Sequence, residues 1–325
     1  MQSYFGRIDG RSLKVAFFVL IVAATTAFSQ NMYRKMNDFD GDGKTDFAVT
    51  RRTGNSKIWY VWQSRDGFKA FEWGFYSDAN AAGDYDGDGR TDIAVFRPVN
   101  FPPLIHTFWI WNSQSDTFTR TDFADVIPAN APMQQDYNGD GRTDPAVWIG
   151  TFIHPQGAIT NVYVQFSGVA GGLQFQIPQQ QAPLRLGDLT GDGRADNTHS
   201  FFQSNSFGVN VADIATGTAR FVQFGVPGDQ YVPGDFDGDG TGDLAIWRSS
   251  DGHWWWLRSS DQTVRAVKWG ASGDVPVPGD YDGDGITDPA IWRPGSTQAS
   301  YWVYGSQSGV SVFSWGLPTD RPVTP

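Results

Sequence analysis

The chain has 325 residues, a formal net charge of −11 and no cysteine. The missing thiols exclude disulfides, thiolate metal sites and a lipid-modified N-terminal cysteine, and the acidity argues against nucleic acid as a partner. The acid is concentrated: only Glu72 is a glutamate, and 22 of the 34 aspartates fall in six short phrases.

Residues 1–29 carry Arg7, Arg11 and Lys14, then the apolar run Val15 to Ala24, then Ala27-Phe28-Ser29 with small residues at the −3 and −1 places before Gln30. That order reads as a secretory signal cleaved after Ser29, which makes the remaining chain secreted or extracytoplasmic. The apolar run is short of the roughly 20 residues that a membrane span needs; the competing reading is an uncleaved anchor. Residues 30–325 are expected to form one domain.

From Asp38 a nine-residue phrase, Asp-x-Asp-Gly-Asp-Gly-x-x-Asp or a close variant, returns six times, starting at Asp38, Asp84, Asp136, Asp188, Asp235 and Asp280. Self-similarity at a near-fixed period marks a repeat architecture. The first offset is always Asp. The third is Asp40, Asp86, Asn138, Thr190, Asp237 or Asp282, and the fifth is Asp42, Asp88, Asp140, Asp192, Asp239 or Asp284. The ninth is again always Asp, at Asp46, Asp92, Asp144, Asp196, Asp243 and Asp288. Oxygen donors at this spacing, with glycine at offsets 4 and 6 to turn the loop, predict a calcium cage.

The seventh offset holds Lys44, Arg90, Arg142, Arg194, Thr241 and Ile286, a set with no shared cation-binding side chain, so its backbone carbonyl is the expected ligand. Up to six Ca2+ ions are expected. Without residues 1–29 the charge is −13, and six ions would nearly neutralise it. The likeness to an EF-hand ends at offset 12, where Val49, Val95, Val147, His199, Ile246 and Ile291 stand in place of a bidentate Glu.

After the cage, five copies run into small-apolar-aromatic stretches such as Ile93-Ala94-Val95-Phe96 and Leu244-Ala245-Ile246-Trp247. These read as strands, with Pro145 and Pro289 at a strand's first residue, where proline is tolerated. A second aromatic strand follows (Ile58 to Trp62, Phe108 to Trp111, Trp254 to Leu257, Tyr301 to Tyr304). A Ser/Gly/Asp turn leads to a third strand ending in Trp73-Gly74, Phe224-Gly225, Trp269-Gly270 or Trp315-Gly316, and a Pro/Val segment such as Val275 to Pro278 enters the next cage. Four short strands per ~45 residues predict an all-β, closed β-propeller built of blades.

On these cages, the Ala-Val/Ile-aromatic strand and the Trp/Phe-Gly turn, residues 38–325 resemble the FG-GAP and VCBS repeat families, the calcium-loop propellers of integrin α-subunit heads, some fungal lectins and many secreted bacterial proteins. The family is often seven-bladed; six cages are counted here and the termini favour six blades, with seven as the alternative. The segment Arg321 to Pro325 matches the Pro/Val stretch that the first cage lacks, and is expected to close the ring. The resemblance implies fold and calcium more than function; the expected function is a binding or adhesion module for a glycan or cell-surface protein, as a monomer. A polysaccharide lyase or hydrolase on the propeller, or a structural display element of the cell envelope, is the alternative; no nucleophile with its base stands out, and no catalytic residue is expected.

Three features invite functional readings. The 14 tryptophans, including Trp254-Trp255-Trp256, are expected mainly in buried strands covered on both faces, with sugar stacking as the alternative. The recurring Arg51, Arg97, Arg248 and Arg293 are expected to pair with an Asp of a neighbouring loop. The third and fourth units are irregular, at Phe152 to Gly157, Gln174 to Gln181 and Asn197-Thr198-His199-Ser200, and irregular loops of a repeat protein are where recognition is often placed; drift in a tolerant blade is the equal alternative.

Overall fold

The structure, a computed structural model, describes residue 33 and residues 36–99, 105–124, 129–154, 157–178, 181–203 and 206–325. The proposed signal segment lies outside the described residues. Strands β1 (Phe47–Thr53), β2 (Ser56–Gln63) and β3 (Gly67–Phe75) form the first meander. The second blade is β4 (Ala79–Asn80), β5 (Ile93–Arg97), β6 (Ile105–Asn112) and β7 (Thr117–Ala124). The third is β8 (Ala129–Pro132), β9 (Ala146–His154), β10 (Gly157–Gln165) and β11 (Gly172–Pro178). The fourth is β12 (Pro183–Leu184), β13 (Asn197–Gln203), β14 (Ser206–Ala212) and β15 (Ala219–Gln223). The fifth is β16 (Gln230–Val232), β17 (Leu244–Arg248), β18 (His253–Leu257) and β19 (Val264–Lys268). The sixth is β20 (Val275–Pro276), β21 (Ala290–Arg293), β22 (Ser300–Gly305) and β23 (Gly309–Ser314). The last strand, β24 (Arg321–Pro322), lies beside β1 and completes the first blade in the order β24-β1-β2-β3. Six four-stranded antiparallel sheets make a six-bladed propeller closed by its two ends.

Burial follows position within the blade. The second strands β5, β17 and β21 are buried at all but their last residue, β2 alternates, and the outermost strands β3, β19 and β23 are mostly exposed. A strand covered on both faces needs apolar residues without alternation, which is why Leu244-Ala245-Ile246-Trp247 is one continuous run. The core lies between blades: Val95 of the second packs with Trp59 and Val61 of the first, and Val49 of the first with Trp292 and Tyr301 of the sixth. Trp59, Trp247 and Trp254 are fully buried, whereas Trp62 is 39% exposed, so packing accounts for most but not all of the aromatic content.

Two details differ from expectation. Pro145 and Pro289 stand one residue before β9 and β21 rather than within them, where a missing amide costs no ladder bond. The polar stretch Asn197 to Ser200 does not replace a strand; it is the start of β13, paired with β12 and β14, because the cage before it and the neighbours beside it fix its path.

That blade carries a cost. His199 is 6% exposed and its Nδ1 has no hydrogen-bond partner, and burial lowers its pKa to about 4. A base whose folded pKa is depressed contributes stability above its unfolded value, about 6.5, that is lost as pH falls toward the folded value. Between pH 7 and 4 the chain is expected to lose up to about 3 kcal/mol through this group. His199→Asn should lose correspondingly less over that interval in urea titrations; parallel losses would contradict it.

Candidate metal centres

The second strand of each blade leaves an Asp-rich loop and runs to a hairpin, and the third returns. All six Asp-rich loops therefore share one end of the ring with turns such as Ser64 to Asp66. Hairpins such as Gly54-Asn55, and the Trp-Gly turns, share the other end.

Each loop winds around its first aspartate. Asp38 Oδ1 accepts the Gly41 amide at 2.7 Å and its Oδ2 the Gly43 amide at 2.8 Å. Both glycines sit in left-handed backbone, at φ +73° and +86°, which side chains disfavour. The same pair of bonds recurs at Asp136, Asp188, Asp235 and Asp280. The ninth-offset aspartate spans two segments: Asp46 accepts the Phe39 amide at 2.8 Å and the Ser64 amide at 2.7 Å. Asp92, Asp144, Asp243 and Asp288 each do the same with Ser113, Ser167, Ser259 and Ser306.

The serine's hydroxyl reaches further in. Ser64, Ser113, Ser259 and Ser306 donate Oγ–H to Asp42, Asp88, Asp239 and Asp284, at 2.5 to 3.2 Å. This lid over the cage was not singled out in the sequence. Its separation from the ninth-offset aspartate is 18, 21, 23, 16 and 18 residues, and that variable spacing hides it. In the fourth unit Asp213 stands at the turn and caps it internally, while Asp196 accepts Thr190 Oγ1 instead.

In four loops one oxygen from each of three carboxylates lies within 4.8 Å of the others: Asp38, Asp40 and Asp42; Asp84, Asp86 and Asp92; Asp235, Asp237 and Asp239; Asp280, Asp282 and Asp288. The third and fourth loops, with Asn138 and Thr190, form no such group among the described residues. In the sixth, Asp282 Oδ1 is buried without any partner. Burial pushes Asp46 up to about 8 and Asp92, Asp144, Asp196, Asp243 and Asp288 up to about 7, against amide hydrogen bonds that pull the other way. Crowded, desolvated carboxylates with an orphaned oxygen fit a hard cation that takes oxygen ligands. The side chains at offset 7 point elsewhere: Arg90 crosses Gly41 of the preceding loop, where an added Cβ would stand 2.9 Å from its Cγ.

Because Asn138 and Thr190 each replace a carboxylate, the third and fourth loops are expected to release metal first as calcium falls. Site-by-site anomalous diffraction checks this; any of the other four emptying earlier would contradict it.

At the opposite end, the recurring arginines pair as expected. Arg51, Arg97, Arg248 and Arg293 each make two hydrogen bonds of 2.7 to 3.0 Å to Asp320, Asp78, Asp229 and Asp274. Each aspartate also caps the turn after its Trp/Phe-Gly, as Asp274 does with the Ala271 amide. Trp73, Trp269 and Trp315 donate their indole N–H to backbone carbonyls of the next blade at Trp109, Trp302 and Tyr60. Between the sixth and first blades this leaves a groove of about 460 Å³ lined by Arg51, Tyr60, Gln298 and Trp315. Of the irregular segments, Phe152 to His154 and Gly157 extend the β9–β10 hairpin at this same end, with 155–156 outside the described residues; Gln174 to Pro178 belong to the outermost strand β11, with 179–180 outside them. No helix among the described residues is long and apolar enough to cross a membrane.

No curated protein matches the chain. Among solved structures, TolB from Acinetobacter baumannii aligns with TM-score 0.54 at 11% identity, over 88% of this chain and 64% of that one. The chain thus spans about two thirds of TolB's length, and at that identity the likeness is one of fold. The β-propeller domain of the Trilobed protease from Pyrococcus furiosus aligns with TM-score 0.35 at 11% identity, over 86% and 98%. Residues 38–95 match the model of the FG-GAP-like repeat. That match spans the first Asp-rich loop, β1 to β3 and the second Asp-rich loop, so the chain is a six-bladed propeller that carries an FG-GAP-like repeat.

Proposed function

We propose that the protein is an exported, calcium-ordered β-propeller that works as a binding or adhesion module for a glycan or a cell-surface protein. The supporting observation is the division of labour between the two ends of the ring. At one end the carboxylates are committed to backbone amides and to the serine lid, so a cation there orders loops. The ligands would be the side chains at offsets 1, 3, 5 and 9 and the carbonyl at offset 7 of each loop, six sites in all. Calcium supplies the positive charge that lets these buried carboxylates ionise together.

The other end carries the long hairpin of the third blade and the inter-blade groove beside Arg51 and Trp315. Loops on a rigid scaffold are the usual carriers of recognition, and this end is where we place it. Residues 30–325 act as one domain on this reading, and the first 29 direct export.

The test is a glycan array and a cell-surface extract probed with the folded chain, with and without calcium. Retention that is lost on changing the third-blade hairpin, with folding intact, supports the reading. A sixth-loop variant that keeps full stability but loses retention would make calcium a direct participant. No retention on either surface would refute the binding module.

A further inference from the structure

Resting on the calcium reading above, we propose that the six cages fill as a coupled ring, each bound ion raising the affinity of the cages on either side. The carrier is a closed circle of backbone hydrogen bonds. The amide at offset 8 of every loop donates to the carbonyl of the first aspartate in the preceding loop: Thr91 to Asp38, Thr143 to Asp84, Ala195 to Asp136, Gly242 to Asp188, Thr287 to Asp235 and Thr45 to Asp280, all at 2.6 to 2.7 Å. No gap remains, because the last bond joins the sixth loop to the first.

The donor residue lies between offsets 7 and 9, the proposed carbonyl and carboxylate ligands of its own cage. The acceptor belongs to the residue around which the preceding cage is wound. Fixing one therefore fixes the frame of the next.

Side chains make a second circle over the same joints. A Cβ added at the fourth-offset glycine would stand 2.9 to 3.0 Å from the seventh-offset side chain of the following loop: Gly41 against Arg90, Gly87 against Arg142, Gly139 against Arg194, Gly191 against Thr241, Gly238 against Ile286 and Gly283 against Lys44. Glycine at that offset thus serves the neighbour as well as its own turn. Each joint consequently has a backbone and a side-chain contact, and neither loop can shift alone.

An empty cage holds crowded carboxylates that repel and loosen the loop, and a filled one holds its joints still. The ordering cost shared by two loops is then met once, which makes the second ion bind more tightly without any new ligand. Coupling of this kind is reciprocal between neighbours.

The joints are not equal. Thr287 adds a second bond, its Oγ1 accepting the Asp235 amide at 3.0 Å, so the fifth and sixth loops are doubly tied. Ala195 and Gly242 replace threonine at the joints on either side of the fourth loop, and Asn138 and Thr190 weaken the third and fourth cages themselves. Coupling should run strongly through loops five, six, one and two and fade across three and four.

The test uses the full chain with Asp282→Asn and Asp284→Asn together, which disables the sixth cage but keeps the Asp280 carbonyl and the Thr287 amide. Calcium is titrated by calorimetry, and occupancy is read site by site by anomalous diffraction at sub-saturating calcium. The wild-type isotherm is expected to be sigmoidal. In the variant, the first and fifth cages are expected to weaken by about fivefold or more, and the second by less. Thr287→Ala, which removes no proposed ligand, should reduce the mutual effect of cages five and six alone.

Five remaining cages with wild-type affinities would overturn the coupling. So would equal weakening of all five, which is the signature of global loosening. A wild-type chain that takes up no calcium at millimolar concentration would instead refute the calcium reading itself.

Discussion

Stripping calcium with EDTA is expected to lower the melting temperature by about 5–20 °C. Sites of the weak extracellular class, with dissociation constants of roughly 0.1–1 mM, each contribute about 0.4–1.4 kcal/mol at about 1 mM calcium, and six contribute about 2.5–8 kcal/mol. That is comparable with the whole stability of a typical domain. The structural ground is that each ninth-offset aspartate holds two strand connections at once, as Asp46 does with Phe39 and Ser64. Without a cation those buried carboxylates stay ionised only at a cost, which their raised pKa values express. The measurement is a thermal scan with calcium and with excess EDTA. An unchanged midpoint would show that the loops are set by hydrogen bonds alone.

The same loops show which parts of the molecule are legible in a sequence. The Asp-rich loop announces itself because offsets 1, 5 and 9 hold aspartate and offsets 4 and 6 hold glycine six times over. The four arginine pairs were legible for the same reason: Arg51, Arg97, Arg248 and Arg293 recur at one place in the unit, and a repeated charge implies a repeated partner. The six-blade count followed from the cages, and closure by the C-terminal segment followed from the incomplete first unit.

What escaped notice uses atoms that every residue has. The circle of bonds from Thr45 to Asp280 and onward runs through backbone amides and carbonyls, so the amides of Ala195 and Gly242 take part in it without a threonine side chain. The crowding at Gly83, Gly234 and Gly279, where an added Cβ would strike Thr143, Thr287 and Thr45, leaves a trace in residue choice. The serine lid escaped because hairpins of different length carry it, and β13 because tertiary neighbours override a polar local sequence.

The division between an Asp-rich end and an irregular end also explains why the blades can differ without breaking the ring. Every inter-blade joint near the cages is backbone-made and glycine-fitted, so it tolerates changes elsewhere in the unit. The third blade can lengthen its hairpin, and the fourth can place Thr198 and His199 in a strand that is apolar in the other blades, while the Ala195 and Gly242 amides still meet Asp136 and Asp188.

Deleting residues 317–325 is expected to cost far more than trimming a surface tail, because that segment is the clasp of the ring. Strand β24 pairs with β1 at Val49 and Thr50, and the Val323 amide donates to the Ala48 carbonyl at 2.9 Å. The side chain of Val323, 2% exposed, packs in the cluster of Phe39, Trp59 and Val95, a burial that stabilises by about 1.5–3 kcal/mol. Asn37 Nδ2 donates to the Val323 carbonyl, tying the approach to the first cage to the same strand. Asp320 is buried against Arg51 and caps the turn at Leu317. Together these losses should exceed about 3 kcal/mol and lower the melting temperature by roughly 10 °C. The exposed edge of β1 should then recruit other chains, because an unpaired, flat strand edge is a template for association. Light scattering beside the thermal scan separates the two effects. Asp320→Ala, which keeps the strand but breaks the ion pair and the cap, should lose stability without associating. A truncated chain that stays monodisperse with the wild-type midpoint would show that the ring holds through its other five joints and that β24 is not its clasp.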